Sequence, residues 1–190
     1  MKIRRVIVRL DPVLQSRALL EAAVELAGEM QAELLGLYVE NQDLLHFAGL
    51  PFARELGFES ATRRALDVES MERSLRALAK EARQALESAA ARTQVQWSFR
   101  VVRGTPAAEL LATAEAHDLV IAHLEVPPEG ASAASVRIVR AGDEDALRAV
   151  LQESDGGVIV LVGSDERTIG DTLRRALRPE SHGEEPARRR

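Results

Sequence analysis

Residues 5–39 read RVIVRLDPVLQSRALLEAAVELAGEMQAELLGLYV, and this stretch decides the fold. Residues 5–10 are a short β-branched run that stops at Asp11-Pro12. Asp followed by Pro suits a helix N-cap with proline in the first turn, where the missing N–H costs nothing. Leu19, Ala22, Ala23, Leu26, Ala27 and Met30 then recur at helical spacing and give one apolar face. Residues 34–39 (LLGLYV) are a second apolar run, too short for a helix of its own and therefore a buried strand. Strand, amphipathic helix and strand make a βαβ unit, which requires parallel strands and a right-handed crossover.

The alternation continues outward from that unit. A long helix is expected over 70–92, with Leu75, Leu78, Ala82, Leu86 and Ala89 on its buried side. Residues 95–102 (VQWSFRVV) read as a strand, Gly104-Thr105-Pro106 as a turn and N-cap, 107–116 as a short helix and 119–122 as a fourth strand. The pattern then restarts with a strand at 136–139 (VRIV), a helix at 143–153, a strand at 158–162 (VIVLV) and a helix at 166–177. The fold class is therefore α/β, a doubly wound parallel sheet. Residues 1–124 form its core. Residues 125–178 are an extra β-α-β-α section that either completes the sheet or is a degenerate second copy of the opening unit. Residues 179–190 end in a polar tail read as disordered.

Composition narrows the function. Hydrophobic residues make up 46% and aromatics 3%, so the core must be built from Leu, Val, Ile and Ala. A formal charge of −5 argues against nucleic-acid binding, which needs a basic field. The chain contains no cysteine, which excludes disulfides and thiol catalysis and fits a cytoplasmic location. No stretch approaches the roughly 20 apolar residues of a membrane span.

The order of these elements resembles the universal stress protein family. An Asp closes the first strand (Asp11), a G-x-P-A turn precedes the short helix (Gly104 to Ala107), and an Asp opens the fourth strand (Asp118). The resemblance covers residues 4–124. It implies a five-stranded parallel sheet with helices on both faces, strand order 3-2-1-4 in the matching part, and assembly as a homodimer. Of the two later strands, either VRIV or VIVLV would come next, or would pair across a dimer interface.

Family members that bind ATP carry a glycine-rich signature after the fourth strand: G-x-x-G, a spacer, then G followed by Ser or Thr. Glycines let backbone N–H groups encircle phosphates. This chain has His123 where the first glycine should fall, and the loop LEVPPEGASAASV then offers Gly130 alone. Pro127 and Pro128 lack backbone donors, and Glu125 and Glu129 would repel a triphosphate. The resemblance therefore implies a non-catalytic, stress-response binding protein with a degraded ATP site and no cofactor. The alternative is a binder of ATP or AMP with an altered phosphate loop. Its candidates are Asp11 and Val39, which fall where family members contact the nucleoside, and Gly163 and Ser164, in a strand-to-helix turn able to hold an anion. Both Asp11 and the Gly163-Ser164-Asp165 turn have a plainer reading as helix caps, which weighs more because capping needs no ligand.

A small-molecule hydrolase or transferase has the least support. His46, His117, His123 and His182 are scattered, with no metal-ligand spacing, and no G-x-S-x-G or G-x-x-x-x-G-K-[ST] motif occurs. Arg73, Arg76, Lys80 and Arg83 alternate with glutamates and read as a solvated helix face. Residues 42–68 break the rhythm and hold three of the four phenylalanines. Phe47, Leu50, Phe52 and Phe58 make this segment an apolar insertion with three readings: a face buried on the sheet, a surface for self-association or a protein partner, or a lid over an apolar small molecule.

Overall fold

The structure is a computed structural model that describes residues 2–11, 17–50, 54–56, 63–65, 68–123, 136–152 and 157–177, with the backbone alone at 54–56 and 63–65. Its centre is a six-stranded sheet in which every pairing is parallel. In chain order the elements are β1 (Arg5–Leu10), α1 (Arg17–Glu29), β2 (Glu33–Asn41), α2 (Gln42–Ala48), β3 (Arg54–Leu56), β4 (Arg63–Ala65), α3 (Val68–Ala90) and β5 (Trp97–Gly104). They continue with α4 (Pro106–Thr113), β6 (Asp118–His123), β7 (Val136–Arg140), α5 (Glu144–Gln152), β8 (Val158–Gly163) and α6 (Glu166–Leu177).

The sheet runs β5-β2-β1-β6-β8-β7. Its first four strands therefore take the order 3-2-1-4, and the VIVLV strand, β8, comes next. The VRIV strand, β7, takes the outer edge, so the sheet has one strand more than the family resemblance implies. Strands β1, β6 and β8 are buried along almost their whole length, as strands covered on both faces must be, and their sequences are near-continuous runs of Val, Ile and Leu.

Alternation along the strands sorts the core into two layers. Val6, Val8 and Leu10 of β1, with Leu34 and Tyr38 of β2 and Leu119 and Ile121 of β6, pack against α1, α3, α5 and α6. Ile7, Leu35, Leu37, Val120, Ala122, Val160 and Val162 face the other way, toward Leu110 of α4. The helical periodicity of 19–30 is met in full on α1, where Leu19, Ala22, Ala23, Leu26 and Ala27 are buried and Met30 is partly so. On α3 the buried set is Leu75, Ala79, Ala82, Leu86, Ala89 and Ala90, with Leu78 half-buried beside it. Gly36 lets α3 approach the sheet closely: a Cβ there would stand 2.5 Å from Leu86 Cδ2 and 2.7 Å from Leu10 Cδ1. Burying a leucine such as Leu86 is worth about 1.5–3 kcal/mol.

The insertion is not a featureless loop. It opens with α2, whose N-cap Asn41 accepts a hydrogen bond from the Asp43 N–H at 2.9 Å, and continues in a two-stranded antiparallel hairpin, β3–β4. The N-cap reading of Asp11-Pro12 rests on 12–16, and the tail at 179–190 follows the last helix; both lie outside the described residues.

Candidate functional site

Chain order reverses between β1 and β6. From β1 the chain moves outward through β2 to β5, and then returns across the sheet to pair β6 with the free side of β1. The crevice beyond the carboxyl ends of two such strands is where open α/β sheets hold ligands. Asp11, His123, Gly163 and Val39 all stand at this end. His123 and Gly163 are register partners, and Asp11 and Val39 follow the paired residues Leu10 and Tyr38. The fold therefore brings the nucleotide candidates to one end of the sheet, on β2, β1 and β8, with β6 and its His123 between the last two. The loop that would hold the phosphates, 124–135, lies outside the described residues.

Side chains tie these strand ends to one another. Arg9 shares a face of β1 with Ile7, and its Nη2 donates to the His123 carbonyl at 2.9 Å. The His123 ring sits 2.8 Å from the Ser164 carbonyl, so Nε2 carries the proton and donates. Asp11 lies 3.8 Å from Arg9 Nη2, an ion pair too long for a hydrogen bond. The Arg9 side chain is 12% exposed, and its Nε is the one enclosed side-chain nitrogen or oxygen among the described residues with no partner. An enclosed unpaired donor costs about 1–3 kcal/mol, so this atom is the clearest energetic anomaly at the site.

The Gly163-Ser164-Asp165 turn works as a cap. The Asp165 carboxylate accepts from the Thr168 N–H at 2.9 Å, the Arg167 N–H at 3.3 Å and the Thr168 hydroxyl at 2.5 Å. Those hydrogen bonds, the Thr168 hydroxyl first, hold its carboxyl below the usual range. The first-turn donors of α6 that an anion would use are thus engaged by the chain's own carboxylate. Gly163 is required by packing, since a Cβ there would stand 2.8 Å from both Ala141 Cβ and Ile169 Cγ1. Val39 is half-buried and packs, with Val102 and Leu111, against the α4 side of the core.

Two features escaped the sequence reading. Glu40, at the end of β2, is 8% exposed and accepts from Arg103 Nε at 3.1 Å and Nη2 at 2.9 Å. Above the same end, burial and the nearby charges of Glu40 and Asp11 push the Tyr38 phenol up to about 12. A charge closing an apolar run was the one available signal for Glu40; its partner lies 63 residues away and follows from strand register alone.

On the insertion, Leu44, Phe47 and Leu50 are 45%, 50% and 40% exposed. Val68 and Val101, on α3 and β5, are similarly open, while Ala48 faces inward. Phe52 and Phe58 lie outside the described residues. Two clefts open elsewhere. One of about 350 Å³ lies between α1 and α3, lined by Leu20, Ala82, Ala85 and Ala89. Another, of about 480 Å³, lies at the amino ends of β2 and β5 and is lined by Gln31, Thr93, Gln94 and Gln96. Neither contains a candidate residue. His46 is exposed on α2, and His117 takes a left-handed conformation (φ 72°) just before β6. Arg76 pairs with Glu72 at 3.1 Å along the α3 surface. Among the described residues no cluster of His, Cys, Asp or Glu could hold a metal ion, and no helix is long and apolar enough to cross a membrane.

The sequence matches no protein-family model, and no curated protein is similar enough to it to serve as a relative.

Proposed function

We propose that this protein is a non-catalytic binding protein of the universal stress type whose β1–β6 crevice no longer grips a triphosphate. It works in the cytoplasm through self-association or a protein partner at the apolar surface of the 42–68 insertion. One observation carries the reading: the strand ends are engaged with one another. The His123 ring is tied to Ser164 and the first turn of α6 to Asp165, so the donors that a chain of phosphates would recruit beyond a single contact with Arg9 are spent inside the chain. Pro127 and Pro128 support it, since neither can supply a backbone donor to the loop that follows β6.

Isothermal titration of the purified protein with ATP, with and without magnesium, tests this. No heat is expected at millimolar nucleotide, and micromolar binding would overturn the reading. Light scattering tests the second half, because a strict monomer that captures no partner leaves the exposed Leu44, Phe47 and Leu50 without the proposed role. A second reading, ATP or AMP held in an altered geometry by Asp11, Val39, Gly163 and Ser164, is favoured by their position at the same, carboxyl end of the sheet, on β2, β1 and β8. The same titration separates the two.

A further inference from the structure

We infer that Arg9 makes the β1–β6 crevice a site for a small oxyanion, a carboxylate or an inorganic phosphate, in place of a nucleotide triphosphate. This rests on reading the crevice as a binding site that has lost its phosphate cradle. It goes further by naming the class of ligand still admitted.

The guanidinium group has five N–H donors in a fixed fork, and a planar or tetrahedral oxyanion matches two of them at once. Arg9 uses one of its donors on a neutral carbonyl, that of His123. Its nearest carboxylate, Asp11, stands off at 3.8 Å, and its Nε is enclosed without an acceptor. Arg5 offers the contrast on the same strand, where Nε and Nη2 both reach a single carboxylate. Nε is shut off from solvent, so an entering oxyanion meets the outer guanidinium donors, Nη1 first, and a cation this poorly paired is expected where an external acceptor completes it. The topology says where that acceptor enters, because Arg9 stands at the end of β1, beside the point of strand reversal. Triphosphates are a poor match. One guanidinium meets one oxyanion, and the further phosphates of a nucleotide would find Asp165 already seated on the α6 terminus.

The test is thermal unfolding of the full chain with sodium phosphate or sodium acetate at constant ionic strength, set against sodium chloride. Phosphate or acetate at about ten times its Kd should raise Tm by about 3–6 °C. The rise should vanish in Arg9→Met and need roughly tenfold more anion in Arg9→Lys, which keeps the charge but loses the fork. Asp11→Asn should bind more tightly than the parent, since it removes the competing carboxylate. This variant keeps the inference falsifiable even if Arg9→Met folds poorly. No shift in the parent, an equal shift in Arg9→Met, or weaker binding by Asp11→Asn would each overturn the inference. The two readings fail separately. ATP binding at micromolar concentration that survives Arg9→Met sinks the proposed function and the inference together. The same binding abolished by Arg9→Met sinks the proposed function and, with it, the exclusion of triphosphates from the Arg9 site, whereas silence toward ATP and toward both anions sinks the inference alone.

Discussion

Arg5 and Arg9 stand four residues apart on one strand and point to the same face, yet they live in different chemical worlds. At the amino end of the sheet, Arg5 donates from Nε at 3.2 Å and from Nη2 at 2.5 Å to Asp118 Oδ2, and from Nη2 to the Thr113 carbonyl at 3.2 Å. Asp118, 2% exposed, also accepts from the Glu115 N–H at 2.8 Å. Burial alone would weaken the Arg5 charge, but the Asp118 hydrogen bonds and charge outweigh it and raise its pKa. At the carboxyl end, Arg9 has one hydrogen bond, a distant carboxylate and an orphaned Nε. At the amino end of β1, Arg5 and Asp118 satisfy each other. The carboxyl end carries charge that the fold leaves incompletely matched, and incomplete matching at a topological switch point is where function is to be sought.

The largest way to break this comparison is Arg5→Met. It strands the Asp118 carboxylate in the core and should cost about 3–5 kcal/mol in urea unfolding. A loss below about 1 kcal/mol would mean that the amino end is no better closed than the other. Next comes Tyr38, the chain's one tyrosine, whose ultraviolet titration reports a single group. Its phenol should ionise near pH 12 in the folded protein and near 10 in urea. Because the folded value is the raised one, the stability this group contributes is complete below about pH 10 and is lost as pH rises through about 12. Asp11→Asn should lower the folded midpoint, and an unchanged midpoint would remove Asp11 from the account. The smallest effect belongs to Arg9→Met. Replacing an incompletely paired guanidinium by an apolar chain of similar reach should leave stability within about 1 kcal/mol of the parent, or raise it. A loss as large as that of Arg5→Met would show that the carboxyl end is held as tightly as the amino end.

Much of this architecture was legible in the chain because periodicity is a local property. The spacing of Leu19, Ala22, Ala23, Leu26 and Ala27 is enough to write α1, and the run VIVLV is enough to write a strand buried on both faces. The insertion was legible as apolar, but the reading left burial and exposure open; Phe47 and Leu50 are at the surface, and its opening helix depends on an Asn41 cap that the sequence reading passed over. At the site, Asp11, Val39, Gly163 and Ser164 were placed at strand ends by pattern. The ties that occupy those ends were not, because Arg9 meets a carbonyl 114 residues away and the His123 ring meets one 41 residues away.

Outside the insertion, the sequence by itself determined the elements and their parallel pairing, since alternation and helical spacing record which side chains must leave water. Tertiary structure alone decided which strand took the edge, that Glu40 would be buried against Arg103, and that one arginine of β1 would be satisfied and the other left wanting. Those outcomes depend on register between segments distant in the chain. A hydrogen bond a few ångströms long is set by where two strands stop, and no local pattern carries that information.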